Sequence, residues 1–298
     1  MSAVSIPPEP TAPPPKNPPK RKSNRLSLNP LSLLAAPAAL YMTVAFAIPL
    51  LLLLISSFRG ETGFTLQTYV AFFSDPYSVT LIWNTLRIAI LTTLISFLLG
   101  YPAAFALAQS HGALQSFLIA AMFLPLSLGV VVKTFGLTIL LRSDGAINQL
   151  LMMLGLTSEP IRFIFTEKGL LLGIVNVFLP FMILPIFSVV KLLDPRLEDA
   201  ATTLGAGPVR RFFKVTLPLT MPGVISGVAL VFSLSIAAYV IPTLLVGDQF
   251  QTMSIAIARS YLFVRNEALG STVSVILLAM AVAVVVVSTW LARDARDV

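Results

Sequence analysis

Acidic and basic side chains are concentrated in residues 193–219, LDPRLEDAATTLGAGPVRRFFKVTLPL, within a chain that is mostly apolar. Asp194 is a good helix N-cap, and Pro195 suits the first helical position, where a missing N–H costs nothing. Gly205 favours the left-handed conformation that ends a helix, and Gly207-Pro208 then begins another. The segment predicts two short helices with a sharp break between them. Arg210, Arg211 and Lys214 could meet lipid headgroups or acidic partner side chains.

Groups arranged for catalysis are missing from the sequence. There is no GxxxxGK[ST] phosphate loop, no HExxH zinc motif and no cysteine, and the only histidine, His111, is expected in a short turn. Without cysteine there is no thiol nucleophile, disulfide or thiolate metal site. We therefore predict a chain that is not an enzyme, with no catalytic residues, no metal site and no cofactor. Energy for any uphill transport must come from another molecule.

Composition places the chain in a membrane. Of its 298 residues, 56% are hydrophobic and 11% are charged, and the mean hydropathy is +0.90. Soluble domains carry about 25% charged residues. Apolar runs that reach the roughly 20 residues needed to span a bilayer predict an all-α polytopic protein with six transmembrane helices. The expected spans are residues 33–55, 80–108, 114–141, 169–190, 221–246 and 268–291.

The distribution of Lys and Arg predicts the orientation of these spans. Residues 1–30 hold nine prolines and five basic residues, a composition typical of a disordered tail. With the tail inside, twelve Lys and Arg residues lie on the inner side and six on the outer side, which favours both termini in the cytoplasm. Residues 31–298 then form the transmembrane domain, with a cytoplasmic loop at 191–219. This topology explains the net charge of +7 better than nucleic-acid binding does.

The outer loop 142–168 is the longest on its side. Residues 147–156 are apolar enough for an interfacial helix, which Gly155 would end. This loop either docks an external partner or packs on the helix bundle.

Polar residues inside the spans are candidates for a substrate pathway. Arg87 and Lys133 either line that pathway or extend their charges to the interface, and Asn176 and Tyr239 either line it or bond neighbouring helices. No Asp or Glu is expected inside a span, which disfavours proton coupling. Prolines expected to kink or break helices are Pro180, Pro185, Pro218, Pro222 and Pro242.

The charged segment resembles the EAA loop of ABC-importer permeases, whose pattern is Glu-Ala-Ala, three residues, Gly, nine residues and Ile-x-Leu-Pro. The matching residues here are Asp199, Ala200, Ala201, Gly205, Val215, Leu217 and Pro218. Asp199 replaces the family's Glu and Val215 its Ile, while Glu198 keeps an additional acid beside the motif. Leu197, Ala200, Ala201 and Leu204 share one helical face, where small side chains allow deep docking in a partner's groove.

The resemblance covers about residues 30–295 and is closest to spermidine/putrescine-type permeases. Asn84-Thr85-Leu86, Gly100-Tyr101-Pro102, Lys133-Thr134-Phe135, residues 179–185 (LPFMILP) and residues 192–195 (LLDP) resemble that branch. The resemblance implies a bacterial inner-membrane, type I importer-like permease in contact with membrane lipids. It also implies a second permease subunit in a heterodimer, a cytoplasmic dimer of ATP-binding subunits and a periplasmic or extracellular solute-binding protein. Residues 198–201, 205, 215, 217 and 218 would couple the chain to the ATPase.

The substrate that the resemblance implies is a polyamine, spermidine or putrescine. Because the predicted spans carry two cations and no carboxylate, the substrate could instead be an opine, a phosphonate, an iron complex or thiamine. Two other classes of function stay open on the residues alone. One is an ion-gradient-driven transporter, which the acid-free spans disfavour, and the other is a membrane scaffold without a transport role.

Overall fold

A computed structural model describes residues 30–60 and 63–294, so most of the Pro-rich tail predicted at 1–30 lies outside the described residues. The chain divides into two units, residues 1–49 and 50–298, and α1 (Pro30–Ser57) begins in the first. The remaining elements are β1 (Arg59–Gly60), β2 (Gly63–Phe64), α2 (Gln67–Ser74), α3 (Pro76–Gln109), α4 (Gly112–Ser127), α5 (Val130–Leu141), α6 (Ala146–Met153), α7 (Glu167–Val190), α8 (Pro195–Thr203), α9 (Pro208–Arg211), α10 (Leu217–Ile236), α11 (Val240–Leu245), α12 (Met253–Arg259) and α13 (Glu267–Asp294). Single π-turns occupy Phe212–Thr216 and Ser260–Val264, and a 3₁₀ turn occupies Gly247–Gln249.

Three long helices form the centre of the second unit. α3, α7 and α10 pack against one another, α13 packs on α10 and α12, and α11 packs on α5 and α7. Buried aliphatic side chains of the three central helices, including Ile88, Ile174 and Val231, form one apolar cluster. Side-chain packing therefore holds α3, α7 and α10 together, because the hydrophobic effect does not drive helices to associate inside a hydrocarbon layer.

Small residues let the central helices approach closely around Met182 of α7. A Cβ atom at Gly100 in α3 would lie 2.9 Å from Met182 Cγ, and one at Gly227 in α10 would lie 2.8 Å from Met182 Sδ. Both separations are too short for a real Cβ contact. The two glycines thus make room for one methionine between three helices, which is how small residues serve membrane helix interfaces.

The prediction of a membrane protein with helical spans is confirmed. Among the described residues, five helices are long and apolar enough to cross a membrane, or six if one bent pair counts as a single span. That pair shows that the predicted uninterrupted span 114–141 is wrong, because the chain bends by 105° between Ser127 and Val130. Leu128 and Gly129 adopt extended backbone there, shortly after Pro125 has removed a helical donor.

The predicted fifth span also differs from the structure. It was expected over 221–246, but its helix ends at Ile236 and a separate α11 follows. Pro242 has no N–H for the carbonyl of Ala238, and Ser254 Oγ donates to that carbonyl instead at 2.6 Å. A hydroxyl from a distant segment thus satisfies the backbone at the break, and Tyr239 lies in this break rather than inside a span.

The outer-loop helix predicted at 147–156 is present as α6, and Gly155 follows it with φ +69°. Asn148 in α6 is buried and bonds the backbone of Arg142 and Ile161, so the helix is fastened to its own loop. In contrast, Pro180 and Pro185 do not break α7, which is helical throughout Glu167–Val190.

Candidate functional site

The first helix of the charged loop begins and ends as the sequence predicts. The Asp194 carboxylate accepts a hydrogen bond from the Arg196 N–H at 2.9 Å, and Pro195 is the first residue of α8. At the other end Gly205 has φ +78°, and the N–H of Ala206 donates to the carbonyl of Ala201 at 3.0 Å. These bonds satisfy carbonyls that a free helix end would leave unpaired. The loop is therefore a short helix with both ends fixed.

The second helix does not stop at Pro218, so the predicted interruption there is wrong. α9, the π-turn and α10 form one continuous helical segment, Pro208–Ile236. The N–H of Leu217 donates to the carbonyl of Phe212, five residues back, immediately before the proline. A π-turn adds a residue to one helical turn and so lets the segment continue through the position where Pro218 offers no donor.

Glu198 faces its own chain rather than the outside. Its Oε1 accepts a hydrogen bond from Thr216 Oγ1 at 3.0 Å, and its Oε2 lies 3.8 Å from Arg211 Nε. Arg211 also donates to Thr202 Oγ1 at 3.1 Å, one turn further along α8. The acid that the sequence left available beside the motif is therefore engaged internally, and α8 is held against the start of the following helix.

Two buried hydroxyls extend this contact into the helix bundle. Thr220, fully buried, directs its O–H toward the carbonyls of Thr216 and Leu217, each at 3.0 Å. Because a hydroxyl has one hydrogen, the Tyr101 hydroxyl of α3 donates to Thr220 Oγ1 at 2.9 Å. The Tyr101 ring also meets Phe212 edge to face, with centroids 5.7 Å apart. Sequence reasoning missed this set, although the motif Gly100-Tyr101-Pro102 already pointed to the tyrosine.

The opposite side of α8 is exposed. Leu197 is 46% exposed and Leu204 88%, and Ala200 between them is exposed as well. Asp199 is exposed too, and among the described residues its carboxylate takes part in no ion pair. The remaining motif residues lie at the start of the next span, where Val215 and Leu217 are half-buried, Leu217 against the core, and Pro218 is exposed. The motif residues thus form two groups, one on an exposed face of α8 and one at the start of the next span.

The four candidate pathway residues are not joined to one another by any hydrogen bond or ion pair in the described part of the chain. Arg87 Nη2 lies 3.0 Å from Glu167 Oε1, Lys133 is half-buried in α5, and Asn176 and Tyr239 are exposed.

Glu167 is a residue that sequence reasoning missed. The predicted spans 169–190 and 268–291 hold no acid, but α7 and α13 begin slightly earlier, at Glu167 and Glu267. Thr166, a good N-cap residue just before Glu167, was the available signal that α7 begins here. Its Oγ1 accepts a hydrogen bond from the Gly169 N–H.

A polar cleft of about 1180 Å³ lies at the other end of α3 from Tyr101. Its lining includes Arg59, Asp75, Arg259 and Glu267. Asp75 caps α3, and hydrogen bonds from the Ser78 hydroxyl and the Tyr77 N–H hold the pKa of its carboxyl below the ordinary value. Tyr101 lies 26 positions after this cap, or about 39 Å along the helix. A membrane crossed by α3 would have the cleft on one side and the charged loop on the other.

Comparisons with known proteins agree with this architecture. A family described as "binding-protein-dependent transport system inner membrane component" matches residues 100–297. The chain is 36% identical over 235 residues to the spermidine/putrescine transport system permease protein PotB of Haemophilus influenzae, covering 76% of this chain and 82% of the relative. It is 32% identical over 214 residues to the protein of the same name from Escherichia coli K12, covering 72% and 78%.

A solved structure shows the same fold. It is that of a bacterial ABC transporter involved in the import of the acidic polysaccharide alginate, matched with a TM-score of 0.73 at 16% identity over 89% of this chain and 95% of that chain. Helical spans, the loop geometry and the family match over most of the chain lead to one conclusion. The chain belongs to the family of inner-membrane permease components of binding-protein-dependent transport systems.

Proposed function

We propose that this chain is one of two permease subunits of an ABC importer and that the exposed face of α8 is the surface that the ATPase subunit contacts. The observation that carries the proposal is the exposure of Leu197, Ala200 and Leu204 on a helix whose other side is fastened to the chain. An amphipathic helix of this kind suits a groove in a partner protein, with the small alanines permitting close approach.

Asp199 supports the same surface. Its exposed carboxylate, at the position of the family's glutamate, is available to a cationic side chain of the ATPase. Ala201 and Gly205 shape the docking helix, and Val215, Leu217 and Pro218 join it to the following span. Motion received by α8 would then pass directly into α10. The permease itself hydrolyses no ATP in this scheme.

The orientation that fits this scheme has α8 in the cytoplasm and the 1180 Å³ cleft outside. The excess of Lys and Arg on the α8 side supports it. The cleft and the outer loop with α6 then face the solute-binding protein. The second permease subunit would cover the exposed faces of the spans, and a heterodimer is the expected arrangement.

The proposed cargo is a polyamine, spermidine or putrescine. The names of the relatives from H. influenzae and E. coli support it. Glu167 adds one carboxylate at the start of α7, where its charge is paired with that of Arg87. Arg87, Lys133, Asn176 and Tyr239 are proposed to line the pathway. Tyr239 has the strongest case, because non-helical backbone at membrane depth lies against protein or a cavity. An opine, phosphonate, iron complex or thiamine is the alternative cargo.

The test of the ATPase contact is Ala201→Glu in the assembled complex. A buried, unpaired charge in the docking groove should abolish substrate-stimulated ATP hydrolysis while the permease still accumulates in the membrane. His111→Glu, on the exposed turn after α3, is the matched control and should behave like the unaltered complex. Normal stimulation in Ala201→Glu would refute the proposed contact.

The test of the cargo is co-purification of the binding protein and identification of its ligand by mass spectrometry. Spermidine or putrescine is expected. Another ligand class would overturn the cargo and leave the ATPase contact untouched. Uptake driven by an ion gradient in vesicles without ATP would overturn the importer assignment itself.

A further inference from the structure

Three hydrogen bonds, the middle one to a backbone carbonyl, connect the proposed docking helix with a central span. Thr216 Oγ1 in the π-turn donates to Glu198 in α8, Thr220 Oγ1 in α10 donates to the carbonyl of Thr216, and the Tyr101 hydroxyl in α3 donates to Thr220 Oγ1. The separations of the bonded atoms are 3.0, 3.0 and 2.9 Å. Thr216, Thr220 and Tyr101 are 4%, 0% and 7% exposed, so this line of bonds passes from the surface of the loop into the core.

The π-turn is fixed on two sides by this line. Its first residue, Phe212, meets the Tyr101 ring, and its last, Thr216, donates to Glu198. Turns of this type are rare and occur frequently at functional sites. Here the turn lets one helical segment continue past Pro218 while presenting one side chain to α8 and another to α3.

Each buried hydroxyl has its own partner: Thr216 Oγ1 bonds Glu198, Thr220 Oγ1 bonds the carbonyls of Thr216 and Leu217, and the Tyr101 hydroxyl bonds Thr220 Oγ1. A buried hydroxyl without a partner costs free energy, so each of these contacts is costly to lose in apolar surroundings. The contact at the loop end has an ionised acceptor, which makes it stronger than a neutral pair. Arg211 adds a second contact to the same carboxylate. α8 therefore cannot turn or shift relative to α10 without breaking a bond that is costly to lose.

We infer that Glu198, Thr216, Thr220 and Tyr101 are positioning residues that make α8 move as one body with α10 and α3. Through them, displacement of the docking helix by the ATPase reaches the central span. Adjacent acids thus have different tasks: Glu198 holds the helix from inside, and Asp199 faces the partner. The inference rests on the proposed function for its consequence in transport, while the rigidity of α8 is a property of this chain alone.

The deciding variant is Thr216→Val, which keeps the shape of the side chain and removes its hydroxyl. Thr216→Ser restores the hydroxyl and should restore the behaviour. The matched control is Thr93→Val, because Thr93 is equally buried in α3 and its hydroxyl bonds only its own helix, at Ala89. Tyr101→Phe removes the bond that joins α10 to α3. It should act in the same direction as Thr216→Val on stimulated ATP hydrolysis but leave the contact between Thr216 and Glu198 intact.

The first measurement is amide hydrogen exchange of residues 195–204 in the full chain. Loss of one net hydrogen bond should speed exchange there by about 2- to 10-fold in Thr216→Val, but not in Tyr101→Phe, Thr93→Val or Thr216→Ser. Unchanged exchange in Thr216→Val would overturn the inference, because α8 would then be held by other contacts.

The second measurement uses the complex with its partner permease, ATPase subunit and binding protein loaded with spermidine. The ratio of stimulated to basal ATP hydrolysis should fall by about 2- to 10-fold in Thr216→Val, with the ATPase subunit still bound. Loss of the bound ATPase subunit would show that Thr216 only shapes the docking surface and would refute transmission. If α8 exchanges faster in Thr216→Val while spermidine-loaded binding protein does not stimulate the unaltered complex, the proposed cargo is refuted and the positioning role stands.

Discussion

Arg87 in α3 and Glu167 at the first residue of α7 lie 3.0 Å apart, although 80 positions separate them in the chain. Their side chains are 47% and 29% exposed, so the pair is not enclosed by the packed helices. The contact gives α3 and α7 a charged bond at one end of an otherwise apolar interface. It also explains how an arginine is accommodated in a span, since a paired charge costs less than an isolated one.

This pair should show measurable coupling. In a double-mutant cycle with Arg87→Ala and Glu167→Ala, we expect a coupling free energy within the roughly 0.2–1 kcal/mol found for partly exposed pairs. Thermal unfolding in detergent measures it, and high salt should reduce it. The control pair is Arg142 and Asp144, which are 60% and 77% exposed. Equal or stronger coupling in the control pair would contradict a structural role for the Arg87–Glu167 contact.

Gly205 should tolerate no ordinary side chain without strain. Its φ of +78° is a conformation that costs other residues about 1–2 kcal/mol, so Gly205→Ala should lower stability by about 1 kcal/mol. Gly205→Asn should cost less, because asparagine enters this conformation more readily. Denaturation of the purified chain measures both. Gly207→Ala serves as the control, since φ is −65° there and a Cβ meets nothing within 4 Å. An equal loss in both alanine variants would disprove the conformational explanation.

The contact between Gly227 and Met182 should be sensitive to a single methyl group. Gly227→Ala places a Cβ 2.8 Å from Met182 Sδ, and overpacking of this kind costs about 1–3 kcal/mol. Gly136→Ala in α5 is the opposite case, because a Cβ there meets nothing within 4 Å. It should be neutral or stabilise the helix by roughly 0.5–1 kcal/mol. Thermal unfolding separates the two, and a stabilising Gly227→Ala would show that the helices can move apart without cost.

Asp75 should make stability depend on pH in the acidic range. Because hydrogen bonds from Ser78 and Tyr77 lower its pKa in the folded state, the ionised cap stabilises the fold above the ordinary carboxyl pKa. That contribution is lost as pH falls through the lowered pKa. Asp75→Asn keeps a good N-cap without a titrating group. The unfolding temperature of this variant should therefore change less than that of the unaltered protein as the pH is lowered from 5. Identical pH profiles for the two proteins would exclude this role for Asp75.

Local signals in the sequence were sufficient to predict where the helices of the charged loop begin and where the first one ends. The cap at Asp194, the left-handed Gly205 and the restart at Gly207-Pro208 all depend on residues within a few positions of one another, and all three are confirmed. The helical spans were predictable for a related reason, since a bilayer demands a length of apolar helix that is read directly from the chain. The break at Leu128 was missed, and the one at Tyr239 was one of two outcomes expected beside Pro242, because a proline alone does not say whether a helix bends, breaks or continues.

What the sequence by itself determined is therefore the class of protein, its helices and the motif that identifies its family. The tertiary structure decided which groups meet across the chain: Glu198 with Thr216, Thr220 with Tyr101, Arg87 with Glu167 and Ser254 with the carbonyl of Ala238. These contacts join residues that are far apart in sequence, and their existence depends on how α3, α7 and α10 pack. Periodicity and local propensity carry no information about that packing, so the direction of each polar side chain appears only when the helices are assembled.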